Sequence, residues 1–401
     1  MNLQSTFGCF FMIDCDKMQT SHNQKCALCE ESLSGKNRSK EHIIPNAIGG
    51  RKKTTGFICN TCNNKHGERW DADLARQLNW FSLAVGISRE RGEPPKQLVQ
   101  TVEGDKYWLL SDGTFTPEKS SYSEEDQDGK VKISMTAKTI EEARQRLKGI
   151  SRKHPNLDID KALNELEVKS DFLDSPLHVS LSLGGPDAGR SLVKTAFAFA
   201  SACGVSHSFC DKANQYLQDE SLEEIPFGFA YLSDIIQSRP KDKVFHCVSL
   251  HGDPKTKRLW SYIEYFGIFR VAVLLSTSYT GEFKNEIYSV DPIDGSAVGV
   301  KIRVDVSAEE LALIWSGNGL NFDNYKAAAD YALPIILERG RSRTLDRTVR
   351  EGFDHAAKTL GIKENEIIPK EKVAEFTALM MEKISPYIHY LVTSGRRPEL
   401  E

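Results

Sequence analysis

The chain has no apolar run approaching the ~18 residues needed to span a bilayer, no internal repeat and no long low-complexity segment. The first absence argues against a membrane protein, and no membrane partner is expected. It also lacks an excess of either charge, since 52 Lys and Arg stand against 56 Asp and Glu for a net charge of -4. The protein is therefore not a basic coat for nucleic acid, and any attraction for phosphate must be local. The N-terminal "FGCFFMI" (Phe7 to Ile13) lacks a preceding positive charge and a small-residue cleavage pattern. It is not expected to be a secretory signal, a cytoplasmic address is expected, and Met12 and Met18 are alternative starts.

What is present is ordinary in bulk: 401 residues, 40% hydrophobic and 27% charged, enough for two or three globular domains. The expected divisions are a tail at 1–19, a Cys-, Gly-, Asn- and Lys-rich unit at 20–92, a small β-hairpin and helix region at 93–175, and an α+β accessory domain at 176–401. "RGEPPKQ" (Arg91 to Gln97) marks the first boundary, because Pro95 has no amide hydrogen and restricts the residue before it. "DADLARQLNWFSLAVGI" (Asp71 to Ile87) reads as helix. "KYWLL" and "KVKISMTA" read as strands of a hairpin or small meander, and "TIEEARQRLKGI" as a helix capped by Thr139. "PLHVSLSL" has strand alternation, and "RSLVKTAFAFASACG" reads as a mostly buried helix ending at Gly204. "VFHCVSL", "RLWSYIEYFGIFRVAVLLST" and "NEIYSVDP" suggest an antiparallel sheet, and the tail from Ser307 returns to helical patterns. The expected class is α+β, without the strand and helix alternation of a doubly wound fold.

Chemistry concentrates near the N-terminus. Cys26, Cys29, Cys59 and Cys62 form two CxxC pairs about thirty residues apart. Four thiolates complete a closed tetrahedral zinc site with no position left for catalysis, so this Zn²⁺ is expected to be structural. So polar a segment buries little apolar surface, and the metal would supply folding energy. The other five cysteines, Cys9, Cys15, Cys203, Cys210 and Cys247, have no ligand spacing and read as small apolar residues.

Between the pairs lies "SKEHIIPNAIGG" (Ser39 to Gly50). Glu41 offers hard oxygen to Mg²⁺ or a similar ion, and Asn63, after the second CxxC, offers a carbonyl oxygen from the start of a helix. An imidazole beside a bound cation favours its neutral form, which suits His42 to act as a base. Adjacent strand residues point to opposite faces, so Glu41 and His42 serve one site only if the chain bends, as Pro45 and Gly49-Gly50 would allow. Lys36, Arg38, Lys40, Arg51, Lys52 and Lys53 flank the motif and read as a local phosphate-binding footprint or, taken alone, a solvated loop.

As an ordered set, "CALC…EHIIPNAIGG…CNTCNNKHG" resembles the zinc-stapled branch of the HNH, or ββα-metal, endonucleases, over roughly residues 26 to 70. The resemblance implies a zinc-bound ββα-metal (treble-clef-like) domain followed by an accessory region with an antiparallel sheet and C-terminal helices. It implies DNA phosphodiester hydrolysis, with His42 activating water, Glu41 and Asn63 holding catalytic Mg²⁺ or Mn²⁺, and restriction or anti-phage defence as the setting. Two departures stand out: the carboxylate before the histidine is often Asp in the family, and its middle Asn is replaced here by Thr54 or Thr55. Asn46 is the alternative for orienting the base, and His66 is a further auxiliary candidate, read as a bystander or a phosphate contact on an exposed helix surface. The alternatives are a noncatalytic zinc module that binds nucleic acid, or a nuclease gated by a ligand-sensing C-terminal region, with a homo-oligomer or a defence-system partner.

"GGPDAGRS" (Gly184 to Ser191) carries glycines at phosphate-loop spacing but has Arg190 in the lysine position, and reads as a glycine turn opening a helix. "ERGRSRTLDRTVR" (Glu338 to Arg350) reads as a solvated basic helix junction. "RSLVKTAFAFASACG" is loosely similar to a segment of the accessory regions of long HNH proteins, and no ligand or chemical role is assigned to it.

Overall fold

The computed structural model describes residues 25–127, 130–164, 172–173, 175–303 and 305–393. The readings placed on Phe7 to Ile13, Met18, Cys9 and Cys15 lie outside them. Contacts divide the chain into two compact units: Met1–Pro94 with Leu181–Arg339, and Pro95–Ser180 with Gly340–Glu401.

The first unit opens with the antiparallel hairpin β1 (Arg38–His42) and β2 (Lys53–Cys59), followed by α1 (Asn60–His66). The chain stays helical through a π-type turn at Gly67–Asp71 into α2 (Ala72–Gln77) and α3 (Asn79–Val85). The single helix expected over Asp71 to Ile87 is thus broken at Leu78, whose φ -96 and ψ 6 leave the helical basin, and it ends on the left-handed Gly86.

The second unit holds β3 (Gln97–Thr101), β4 (Lys106–Leu109), β5 (Phe115–Pro117), the ribbon β6 (Tyr122–Gln127) with β7 (Lys130–Met135), α4 (Ile140–Ser151), α5 (Ile159–Asn164) and β8 (Leu177–His178). Thr139 caps α4 as expected, its hydroxyl accepting from the Glu142 amide. Only Leu177–His178 of the expected strand "PLHVSLSL" pairs, with β3. Alternation specifies which face a residue takes and does not supply a partner strand.

The first unit resumes with α6 (Pro186–Ala202), α7 (Asp211–Gln218), β9 (Phe227–Phe229), β10 (Ile236–Ser238), β11 (His246–Asp253), β12 (Arg258–Tyr265), β13 (Phe269–Ser276), β14 (Lys284–Val290), β15 (Lys301–Ile302) and α8 (Ala308–Leu313). The expected antiparallel sheet is present, with order β14-β11-β12-β13-β9. The long α9 (Phe322–Leu360) and α10 (Val373–Thr393) close the chain as the helical tail predicted. In the second unit Arg343 and Arg347 donate to the carbonyls of Ser111 and Asp112, at 2.9 and 2.8 Å, so part of the basic cluster read as solvated is spent on a turn.

The helix α6 lies at the centre of the first unit, buried at every position from Ala188 to Ala202. A helix that is apolar all round must be covered all round, and α6 packs on β2, α2 and the sheet strands β11, β12 and β13. Phe197 meets Phe57 of β2 edge to face, with ring centroids 5.1 Å apart, so the motif hairpin and the accessory helix share one core. Trp70, Phe57 and Phe197 are fully covered, each worth roughly 1.5–3 kcal/mol of burial.

Two contacts fix the loop between β1 and β2 against the sheet. His246, fully buried, donates from Nε2 to the Ile48 carbonyl (2.7 Å) and accepts at Nδ1 from the Phe266 amide (3.1 Å). Gly49 sits at φ +99, where a Cβ would come within 2.4 Å of the Pro292 carbonyl oxygen. Gly49→Ala should therefore cost at least ~1–2 kcal/mol from the left-handed backbone alone, read as a lower melting temperature.

Burial holds His246 at about 4 against an ordinary 6.5, and its bonds to protein leave Nδ1 no room for a proton. The imidazole is thus neutral in the fold, and its contribution is complete above pH 6.5 and is lost as pH falls towards 4, by on the order of 3 kcal/mol. His207 and His251, also held near 4 by burial, act in the same direction. A melting curve taken from pH 7 to pH 4 should fall through this window, and His246→Gln should flatten part of the slope.

Candidate metal centre and active site

The four motif cysteines converge, with their sulfurs all within 4.8 Å of one another. Cys26, Cys59 and Cys62 are buried and Cys29 is exposed. Cys29 Sγ and Cys59 Sγ are 3.7 Å apart, close to the ~3.8 Å edge of a tetrahedron with sulfur ~2.3 Å from zinc. The backbone is shaped around the sulfurs: the Cys59 amide donates to Cys26 Sγ at 3.3 Å, and the Cys62 amide to Cys59 Sγ at 3.4 Å as α1 begins. Burial and the other sulfurs push the Cys62 thiol well up, so four thiolates coexist there only around a neutralising cation. The donor set fits a structural zinc ion.

The hairpin sorts the remaining motif residues by face. Ser39 and Glu41 of β1 point inward, while Arg38 and Lys40 are exposed and His42 is half-buried. Thr54 lies opposite Glu41 and is buried with it, and Thr55, half-buried, lies opposite Lys40. Thr54 therefore belongs to the face of Glu41 and not to that of His42.

His42 is held by a residue outside the predicted set. Its Nε2 lies 3.1 Å from Glu90 Oε1, and Lys53 Nζ lies 2.8 Å from Glu90 Oε2. Asn46 accepts from the Glu90 amide at 2.8 Å while its own amide donates to the Gly50 carbonyl at 3.0 Å. Asn46 thus supports the histidine through Glu90 instead of touching it. Burial lowers the His42 pKa, with Glu90 opposing and Lys53 and Lys194 adding to the fall. When Nε2 carries the proton and donates to Glu90, Nδ1 keeps its lone pair. Lys53 and His42 draw Glu90 down to about 2, so it remains an anion.

Glu41 faces the other way, into the core. It is 4% exposed, and its Oε1 accepts from Lys194 Nζ of α6 at 2.5 Å. The same ammonium reaches Asp71 Oδ2 at 2.5 Å, and Ser191, one turn earlier on α6, donates to Asp71 Oδ1 at 2.6 Å. Burial alone would lower the pKa of Lys194, but the charges of Asp71 and Glu41 outweigh it and raise it, so the amine stays an ammonium. The segment given no chemical role thus delivers Lys194 to the motif's carboxylate and Ser191 to the Asp71 that shares its ammonium. A lone lysine among "VKTAFAFASA" was the available signal, because a buried lysine requires an anionic partner.

Asn63 lies in the first turns of α1, half-buried. Among the described residues no hydrogen bond joins Glu41, His42 and Asn63 to one another; α1, which carries Asn63, packs on β1 and β2. His66 is not the exposed helix residue expected. It is 7% exposed and stacked on Trp70 with centroids 3.7 Å apart, and burial pulls its pKa down to about 4. Of the flanking basic residues, Lys36, Arg38, Lys40 and Lys53 are exposed. Arg51 donates to the Ile293 carbonyl at 3.3 Å, and Lys52 lies over the Tyr288 ring at 5.3 Å.

The phosphate-loop spacing at Gly184 leads to α6 as a glycine turn, with Gly185 as its cap. Arg190 is buried, stacks on Tyr216 at 4.8 Å and donates to the Pro186 carbonyl at 3.1 Å. Cys210 and Cys247 are buried as expected, and Cys203 is partly so. No helix among the described residues is long and apolar enough to cross a membrane.

A β-hairpin closed onto a helix by four converging sulfurs defines a ββα module with a four-cysteine cluster within an α+β chain. Residues 26–79 match the family model of the HNH endonucleases, and the chain therefore carries an HNH endonuclease domain. No curated protein and no solved structure matches it.

Removing the metal tests the staple. Cys62→Ser, or a strong chelator acting on the intact chain, should abolish stoichiometric zinc binding and lower the melting temperature, as expected where metal affinity is folding energy. Metal analysis with differential scanning calorimetry reads both.

Proposed function

We propose that the protein is a metal-dependent endonuclease that hydrolyses DNA phosphodiester bonds. The observation that carries this reading is His42 within the HNH domain with its Nε2 on Glu90, an arrangement that suits Nδ1 to act as the base. In the proposed reaction His42 Nδ1 takes the proton from the attacking water while Glu90 fixes the ring and stabilises the imidazolium that forms. Glu41 and Asn63 would hold a divalent ion, Mg²⁺ or Mn²⁺, whose charge would polarise the phosphate and stabilise the leaving oxygen. Carboxylate and amide oxygens are the donors a hard cation prefers. Lys36, Arg38 and Lys40 lie along the exposed side of the turn and strand leading to His42, and supply a path for the DNA backbone. Cytoplasmic restriction or defence against phage is the setting such an enzyme would serve.

A second reading, a noncatalytic zinc module that binds nucleic acid, is favoured by Lys194, which already satisfies Glu41 with a cation. Plasmid incubated with Mg²⁺ or Mn²⁺, against an EDTA control, separates the two. For the nuclease, His42→Ala should lower nicking by at least ~100-fold, the usual scale of a lost general base, with zinc content and melting temperature kept. Glu90→Gln should give a smaller loss. Full cleavage by His42→Ala would refute the assignment of the base.

A further inference from the structure

A lysine that is 1% exposed on a helix of Ala, Phe and Val is a costly choice. A hydrophobic side chain of similar volume often does as well or better at such a site. The contacts of Lys194 indicate what the cost supports. Both oxygens of Asp71 are engaged, Oδ1 by Ser191 and Oδ2 by Lys194, so Asp71 anchors the ammonium. The described contacts of Glu41 fall on Oε1 alone. A carboxylate gripped by one oxygen presents the other in a fixed direction, and two carboxylates around one ammonium retain a net negative charge.

From this geometry we infer that Lys194 is a positioning residue of the nuclease centre. Anchored by Asp71 and Ser191, it holds Glu41 by Oε1 and leaves Oε2 as the oxygen that would meet the divalent ion. The inference rests on the proposed nuclease reading, and it makes α6, more than a hundred residues downstream in the chain, a working part of the HNH centre. Second-sphere partners of this kind typically change metal affinity by 10–100-fold when removed.

The test uses the full, zinc-loaded chain and two readouts, Mn²⁺ binding followed by the loss of the free-ion electron paramagnetic resonance signal, and Mn²⁺-dependent plasmid nicking. Lys194→Met should weaken Mn²⁺ binding by about tenfold or more and raise the Mn²⁺ concentration for half-maximal nicking in step. Ser191→Ala, which loosens only the anchor, should shift both in the same direction by a smaller factor with zinc content and melting temperature retained. It decides the matter alone if Lys194→Met does not fold. Unchanged Mn²⁺ binding in the folded variants overturns the inference and leaves the nuclease reading standing. Tighter binding in Lys194→Met also overturns it, because the ammonium would then compete with the ion for its seat. If the wild-type chain has no Mn²⁺ site that Glu41→Gln abolishes, the metal reading of Glu41 fails and takes the inference with it.

Discussion

Four sulfur atoms set the geometry on which the rest of the motif depends. They tie the turn at Cys26 and Cys29 to the end of β2 and the first turn of α1, and so fix the angle at which the helix leaves the hairpin. The segment between the cysteines is short and polar, and its own apolar burial is limited to a few side chains such as Ile43, Ile44, Ile48 and Phe57. The strand that carries Glu41 and His42 is placed relative to the helix that carries Asn63 because the sulfurs converge. Zinc is the cation whose coordination chemistry suits them.

The hairpin nevertheless does not stand alone. One of its faces is a wall of the accessory core: Phe57 against Phe197, Ile48 bonded to His246, Gly49 pressed on Pro292, Glu41 on Lys194. Its other face carries His42, Glu90 and the exposed basic residues. On the inner face Lys194 engages Glu41, and on the outer Glu90 engages His42. A desolvated carboxylate with a tethered ammonium and a histidine with an exposed carboxylate follow from two adjacent residues pointing in opposite directions.

Much of this was legible in the chain because it is local. Ligand spacing in the CxxC pairs, the Thr139 cap and the β-rich runs from Val244 to Pro292 all depend on neighbours within a few residues, and the structure forms them. The breaks at Leu78 and within "PLHVSLSL" were not legible, since periodicity indicates a face and leaves open whether a helix continues or a strand finds a partner. His66 illustrates the same limit from the other side. A histidine on a short polar helix reads as exposed, yet the π-type turn after it brings Trp70 onto its ring.

The sequence by itself determined the four-cysteine cluster, the class of the N-terminal domain and the α+β character of the remainder, because each is written in spacing and periodicity along the chain. The tertiary structure alone decided which groups face Glu41 and His42. Lys194 comes from 153 residues beyond Glu41, and Glu90 from beyond α3. The physical reason is that a buried charge must find its counter-charge in space, and chain separation places no restriction on where that partner lies.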